Sequence, residues 1–527
     1  MRSSSSRSIP NRRVATSTPS LPRPRPPRAF ALSPACCSLA MPSPSSVHAI
    51  ALLGLGLSLL ASTASAAGGT VAVPVVRRAH DDDDDQNRPA PLPLLARRGD
   101  GASTTPLGLD ALNNITGGGY YADFDVGTPP QKLAFLLDTG SSDTWVNSVR
   151  ADLCNDRDRQ SQQQLWCQTP FNPNASSSFT TVARGGFNIT YLDRRNIQGD
   201  YFKDTLAVHG KQVKNQQLGL ALRTVRPTGI LGLGYSAAVA TNMTYPTVVD
   251  NMVSQGLIDA AVFSLYLNDA DAKSGTILFG GVDTQKYYGS LATLPLARGH
   301  NASEPSPYYA VTLRGLAVDG VALEDLQGAT AILDSGSSLT LLPARQAKAL
   351  HDKFGVVSLE QLPVPLVDCA YRGDKGKATR FRFKFDNKTI GVPMDEMVLD
   401  YFPADAQKIL MGDALKSLFG TWKSVCVFGV ASALDYGVRS DAWALLGDPF
   451  LRSAYVVYDM ANRQVGLAQA NVNSDKSNVV AVKKGATALP DVAGVAEPSA
   501  AAQLAPSSYG VSAAALLMAV AAVLTTL

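Results

Sequence analysis

The stretches FLLDTGSSDTWV (Phe135–Val146) and AILDSGSSLTLL (Ala331–Leu342) decide how this chain folds. Each carries an Asp to the end of an apolar run with strand character, then turns through a hydroxyl residue and Gly into two serines. A single Asp-Thr-Gly is an ordinary turn, because Asp and Gly are favoured there. A second copy 196 residues later, with the same apolar lead-in, predicts two similar lobes. Each lobe donates one carboxylate, Asp138 or Asp334, to a shared site.

The duplication extends outward from these motifs. GILGLG (Gly229–Gly234) follows the first and ALLG (Ala444–Gly447) follows the second. Tyr120–Val126 alternates and runs into a Gly-Thr-Pro-Pro turn, a strand entering a hairpin. Helical patterns are confined to stretches such as Pro246–Gln255 and Ala344–Phe354. Many short strands with few helices predict a mainly β protein, with lobes at residues 99–285 and 286–475.

On these motifs, from about Tyr120 to Ala468, the chain resembles the pepsin-like (family A1) aspartic endopeptidases. The resemblance implies a bilobal acid protease fold with the active-site cleft between two similar lobes. It implies Asp138 and Asp334 as catalytic groups that share one proton and activate water, with no metal, cofactor or covalent nucleophile. In pepsin, the standard example of such a pair, one carboxyl titrates well below the ordinary range and the other somewhat above it, so activity at acid pH is expected. Thr139 and Ser335 match hydroxyls that clasp across the two loops, and Gly140 and Gly336 allow the tight turns. Ser141 and Ser337 match hydroxyls that hydrogen-bond and orient the carboxylates. GFNITY (Gly186–Tyr191) matches the strand leading to a cleft-covering flap, with Tyr191 as the flap tyrosine and Trp145 as its partner. The family's Gly-rich flap tip is replaced by Leu192-Asp193-Arg194-Arg195-Asn196. Asp193 resembles an acidic position that accepts a basic substrate residue in some fungal relatives, although Arg194 and Arg195 beside it could repel such a residue or neutralise Asp193.

Of the six cysteines, Cys36 and Cys37 fall in the leader. The other four allow three connectivities by spacing alone. Lobe membership selects Cys154–Cys167 and Cys369–Cys426, and the resemblance supports that choice. A zinc site finds no CxxC and only five His in the whole chain. Disulfides imply an oxidising compartment.

The formal charge of +3 misleads. Residues 1–98 hold 12 Lys/Arg against five Asp/Glu, which leaves the remainder mildly acidic and without a patch suited to nucleic acid. Ile50–Leu60 is apolar and precedes Ala64-Ser65-Ala66, a secretory signal within a leader at residues 1–66, with translation starting at Met1 or Met41. Dibasic pairs Arg77-Arg78 and Arg97-Arg98 bracket an Asp run, so residues 67–98 read as a propeptide cut by a kexin-like protease. Residues 476–499 read as an Ala/Pro/Ser-rich flexible stalk. Residues 500–527, ending in the uncharged Val511–Leu527, read as a removed GPI signal with the lipid on Ser499, Gly494 being a second candidate. Six sequons, at Asn114, Asn174, Asn188, Asn242, Asn301 and Asn387, are expected glycosylation sites.

Together these features resemble the yapsin group of fungal GPI-anchored surface peptidases, which favour cleavage next to Lys or Arg. The expected partners are protein or peptide substrates and the membrane, through the lipid. Nothing requires more than a monomer. A broad-specificity secreted acid peptidase and an inactive peptide-binding glycoprotein are the alternatives.

Overall fold

The computed structural model describes residues 119–497 other than 159, 161–165, 273–274, 299–305, 324, 360–361 and 403, together with the backbone of 107–109 and 112–113. The leader, the propeptide, Ser499, the GPI signal and the sequons at Asn114 and Asn301 lie outside the described residues.

The two Asp motifs sit in matching sheets. In the first half, Gln131–Asp138 lies between Tyr120–Val126, antiparallel, and Gly229–Gly232, parallel. Trp145–Asn147 follows on the far side of Gly229–Gly232. In the second half, Ala329–Leu333 lies between Ala310–Leu313, antiparallel, and Trp443–Leu446, parallel, with Thr340–Leu342 beyond. Leu133–Asp138 is buried on both faces and so reads as a continuous apolar run, whereas Ala329–Leu333 alternates buried and half-buried residues. The Gly that closes each returning run is needed for close approach: a Cβ on Gly232 would clash with the Ser142–Asp143 backbone, and one on Gly447 with the Ser337 and Leu339 carbonyls.

The first-half sheet has eight strands and curls back on itself, since Tyr120–Val126 also pairs with Asn196–Val208. Its last two strands, Asn196–Val208 and Thr180–Thr190, form an antiparallel hairpin. The second half adds two four-stranded sheets. Both disulfides join cysteines within one half, Cys154–Cys167 and Cys369–Cys426. The helix Val248–Ser254 starts on a Thr247/Asp250 capping box, and Ala344–Phe354 ends on Gly355 in the left-handed conformation.

A six-stranded sheet joins the halves, in the order Leu107–Leu109, Thr276–Phe279, Val262–Tyr266, Ala454–Asp459, Gln464–Gln469, Ala292–Pro295. One face carries Phe263, Leu265, Val456 and Tyr458 into the core beneath the Asp loops. Alternate residues, Val262, Tyr266, Tyr455 and Val457, face the other way.

That outer face corrects the expected stalk. Residues 476–497 are a strap packed on it rather than a free linker. Val479–Ala481 pairs with Gly281–Asp283, Asn478 N–H donates to Asp283 Oδ1 (2.8 Å), and Val495 N–H donates to the Tyr287 carbonyl (2.9 Å). Val482 is buried there, with Leu489 against the same cluster. The segment's Ala- and Pro-rich composition hides this because most of the attachment is backbone pairing to an open strand edge, which needs no particular side chain. Among the described residues, no helix is long and apolar enough to cross a membrane.

Ending the chain at Asp475 exposes this face. Burial of Val482 and Leu489 contributes about 3 kcal/mol, so the melting temperature should fall by roughly 5 °C or more relative to a chain ending at Glu497. Equal melting temperatures would show that the strap adds nothing to the fold.

Candidate active site

The parallel strands bring the two Asp loops face to face, and reciprocal hydrogen bonds hold them there. Thr139 Oγ1 donates to the Leu333 carbonyl (2.9 Å) and accepts from Ser335 N–H (3.0 Å). Ser335 Oγ donates to the Leu137 carbonyl (2.9 Å) and accepts from Thr139 N–H (3.2 Å). Both hydroxyl residues are buried.

Each carboxyl packs over the opposite loop's glycine: a Cβ on Gly140 would lie 2.5 Å from Asp334 Oδ1, and one on Gly336 would overlap the Asp138 carboxylate. The Asp138 and Asp334 side chains are within hydrogen-bonding reach of each other. Asp138 accepts from Gly140 N–H (2.8 Å) and Ser141 Oγ (2.5 Å), while Asp334 accepts from Gly336 N–H (2.9 Å). Removal from water, and then the charge of Asp138, push the Asp334 carboxyl well above the usual carboxylate range.

Ser337 departs from expectation. Its hydroxyl donates to the Leu339 carbonyl (2.9 Å), not to Asp334.

Tyr191 stands at the base of the hairpin loop and accepts a hydrogen bond from Trp145 Nε1 (2.7 Å). Burial, with Asp138 nearby, raises the Tyr191 phenol far above its ordinary value, so it stays protonated. Asp193, at the tip, is already engaged: Arg226 Nη2 donates to its Oδ2 (2.8 Å), and Arg195 Nε lies 3.7 Å from the same oxygen. The sequons at Asn174, Asn188, Asn242 and Asn387 are exposed.

Sequence reading missed three residues here. Asp143 is fully buried and accepts from Tyr201 OH (2.8 Å), Tyr245 OH (2.6 Å) and Ala240 N–H (2.6 Å), bracing the first Asp loop. The repeat itself carried the signal, since Leu339 takes the equivalent place in the second motif. Arg226 and Asp448 carried no such signal.

Comparison with known proteins agrees with this geometry. The family model described as "Eukaryotic aspartyl protease" matches residues 119–470. The chain is 34% identical over 390 residues to "Probable aspartic-type endopeptidase opsB" of Aspergillus oryzae, covering 72% of this chain and 74% of the relative. It is 33% identical over 360 residues to "Acid protease" of Saccharomycopsis fibuligera, covering 67% and 80%. It is 32% identical over 369 residues to "Candidapepsin-3" of Candida albicans, covering 69% and 82%.

Behind Asp334, the buried Asp448 donates its N–H to the Ser337 carbonyl (2.9 Å), and its Oδ1 has no hydrogen-bond partner among the described residues. Burial pushes its carboxyl up to about 8, against the opposing pull of Arg452, which is itself paired with buried Glu396. A raised folded-state value favours the neutral form. Its contribution is therefore complete below about pH 4, the ordinary carboxylate range, and is lost as pH rises from there towards 8. The melting temperature should accordingly fall between pH 4 and 8. Asp448→Asn, which cannot ionise, should flatten that fall by on the order of a few kcal/mol, and an unchanged slope would reject Asp448 as its source.

Proposed function

Because the chain belongs to the eukaryotic aspartyl protease family and is an aspartic-type endopeptidase, we propose that Asp138 and Asp334 are the groups that hydrolyse the peptide bond. The observation that carries this is the shared position of the two carboxyls, with one proton favoured on Asp334 and two donors turned onto Asp138. Asp138 takes a proton from water as its oxygen attacks the scissile carbonyl carbon. Asp334 gives its proton to the carbonyl oxygen, forming a gem-diol. Asp138 then protonates the leaving nitrogen, Asp334 recovers a hydroxyl proton, and the C–N bond breaks. The pair titrates as a unit, so activity requires a pH at which one proton remains. Tyr191, neutral and held by Trp145, covers the cleft.

We further propose secretion and surface attachment. Two disulfides fit an oxidising compartment, and a relative is named "Secreted aspartic protease 3". A propeptide at 67–98 removed by a kexin-like protease, and a GPI lipid on Ser499, complete the reading. Gly494, the second attachment candidate, is tied to Gly289 by a backbone hydrogen bond (2.6 Å), which favours Ser499.

Preference for Lys or Arg would need an open carboxylate at the flap tip. Asp193 is instead ion-paired, which favours the broad-specificity reading. The inactive-glycoprotein alternative is disfavoured because both carboxyls retain their donors.

Asp138→Asn should lower peptide cleavage at acid pH by at least about 10³-fold in protein that still melts cooperatively, and pepstatin should block the wild type. A fully active variant would falsify the dyad. Phosphatidylinositol-specific phospholipase should release the protein from cells, and retention after treatment would remove the lipid from the reading.

A further inference from the structure

Arg226 lies on the segment between the strands Lys211–Arg223 and Gly229–Gly232, the second of which runs beside Asp138. Its backbone is fixed. The carbonyl accepts from Asn147 Nδ2 (3.0 Å) and Thr224 Oγ1 (3.2 Å), and the N–H donates to Thr224 Oγ1 (3.0 Å). The next residue, Pro227, accepts from Gln168 N–H (2.8 Å), beside the Cys154–Cys167 disulfide. From this platform the guanidinium lies over the Tyr191 ring, 4.8 Å from its centroid, and reaches Asp193.

The Arg226 side chain is only 19% exposed, so its charge is less screened than a surface pair's. Arg195 also contacts the Asp193 carboxylate, through N–H to Oδ1 (3.0 Å) as well as its guanidinium. Arg194 is exposed at the same tip and makes no ion pair among the described residues. Two guanidiniums, those of Arg226 and Arg195, thus hold one carboxylate beside Tyr191, with the exposed Arg194 on the same turn.

We propose that Arg226 sets the side-chain selectivity of the cleft: it occupies Asp193 from within the protein and so excludes cationic substrate side chains next to the scissile bond. This rests on the peptidase reading above. A Lys or Arg entering beside Tyr191 meets like charge, because the Asp193 carboxylate that would receive it is already bound. Uncharged and acidic side chains meet no such repulsion. The substrate class is therefore peptides with apolar or acidic residues beside the cut. The flap-tip carboxylate is a latent basic-residue site, closed by the enzyme's own arginine.

The experiment measures kcat/KM at pH 5 for peptides that differ only in carrying Lys, Leu or Glu before the cleaved bond. Wild type should cut the Lys peptide about tenfold or more less efficiently than the Leu peptide. Arg226→Gln and Arg226→Met, the second of which keeps apolar packing on Tyr191, should raise the Lys-to-Leu ratio by about tenfold. Arg226→Lys should keep the wild-type ratio. Using the ratio cancels any general loss from a loosened flap. A wild-type preference for Lys, or a ratio unmoved in both neutral variants, overturns the role of Arg226 while leaving the peptidase intact. Failure of wild type to cut any of the three peptides overturns both readings.

Discussion

Everything at the centre of this molecule depends on holding two carboxyl groups closer than their charges allow. Two carboxylates at hydrogen-bonding distance repel, and the repulsion grows as water is excluded. The reciprocal bonds between Thr139 and Ser335 oppose it. Each bond contributes about 1 kcal/mol, but the four are cooperative in geometry, since neither loop can shift without breaking all of them. Burial and the neighbouring Asp138 raise the Asp334 carboxyl, and the neutral form this favours relieves the remaining repulsion. The same clasp that contains the repulsion keeps the two carboxyls side by side.

The two halves share a plan, yet they are not equivalent around the dyad. The first loop rests on Asp143 and two tyrosine hydroxyls, while the second has Leu339 in that place and the buried Asp448 behind it. Ser141 serves Asp138, whereas Ser337 turns to the backbone. These differences give the paired carboxyls different surroundings, and different surroundings are what allow one to hold the proton and the other to accept hydrogen bonds.

Support for the site reaches beyond the cleft. The six-stranded sheet draws strands from both halves, so neither half has a complete core alone. Tyr309 on the second half donates to the Leu233 carbonyl on the first (2.7 Å), directly beside the strand that flanks Asp138. The strap at 476–497 closes the sheet's far face. The strap therefore belongs to the fold, packed on the far side of the sheet that underlies the Asp loops.

Local chemistry was enough to reveal the repeat, the strand running up to each Asp and the helix Ala344–Phe354, because each depends on residues near in sequence and on backbone sterics. The clasp and the Tyr191–Trp145 bond were legible only through a family resemblance. The partner of Asp193 was not legible at all. Arg226 lies 33 residues away on the segment between two other strands, and nothing in its neighbours distinguishes it from a surface arginine. The strap was misread for the opposite reason: its composition suits a linker, and its order comes from backbone bonds to Gly281–Asp283 that any sequence could make. By itself, then, the sequence determined the two-lobed β architecture and the pair of acids, because periodicity and turn chemistry are local. Which charge neutralises which, and that residues 476–497 belong to the fold, was decided only by tertiary structure, since electrostatic pairing and edge-strand addition depend on distance in space and not along the chain.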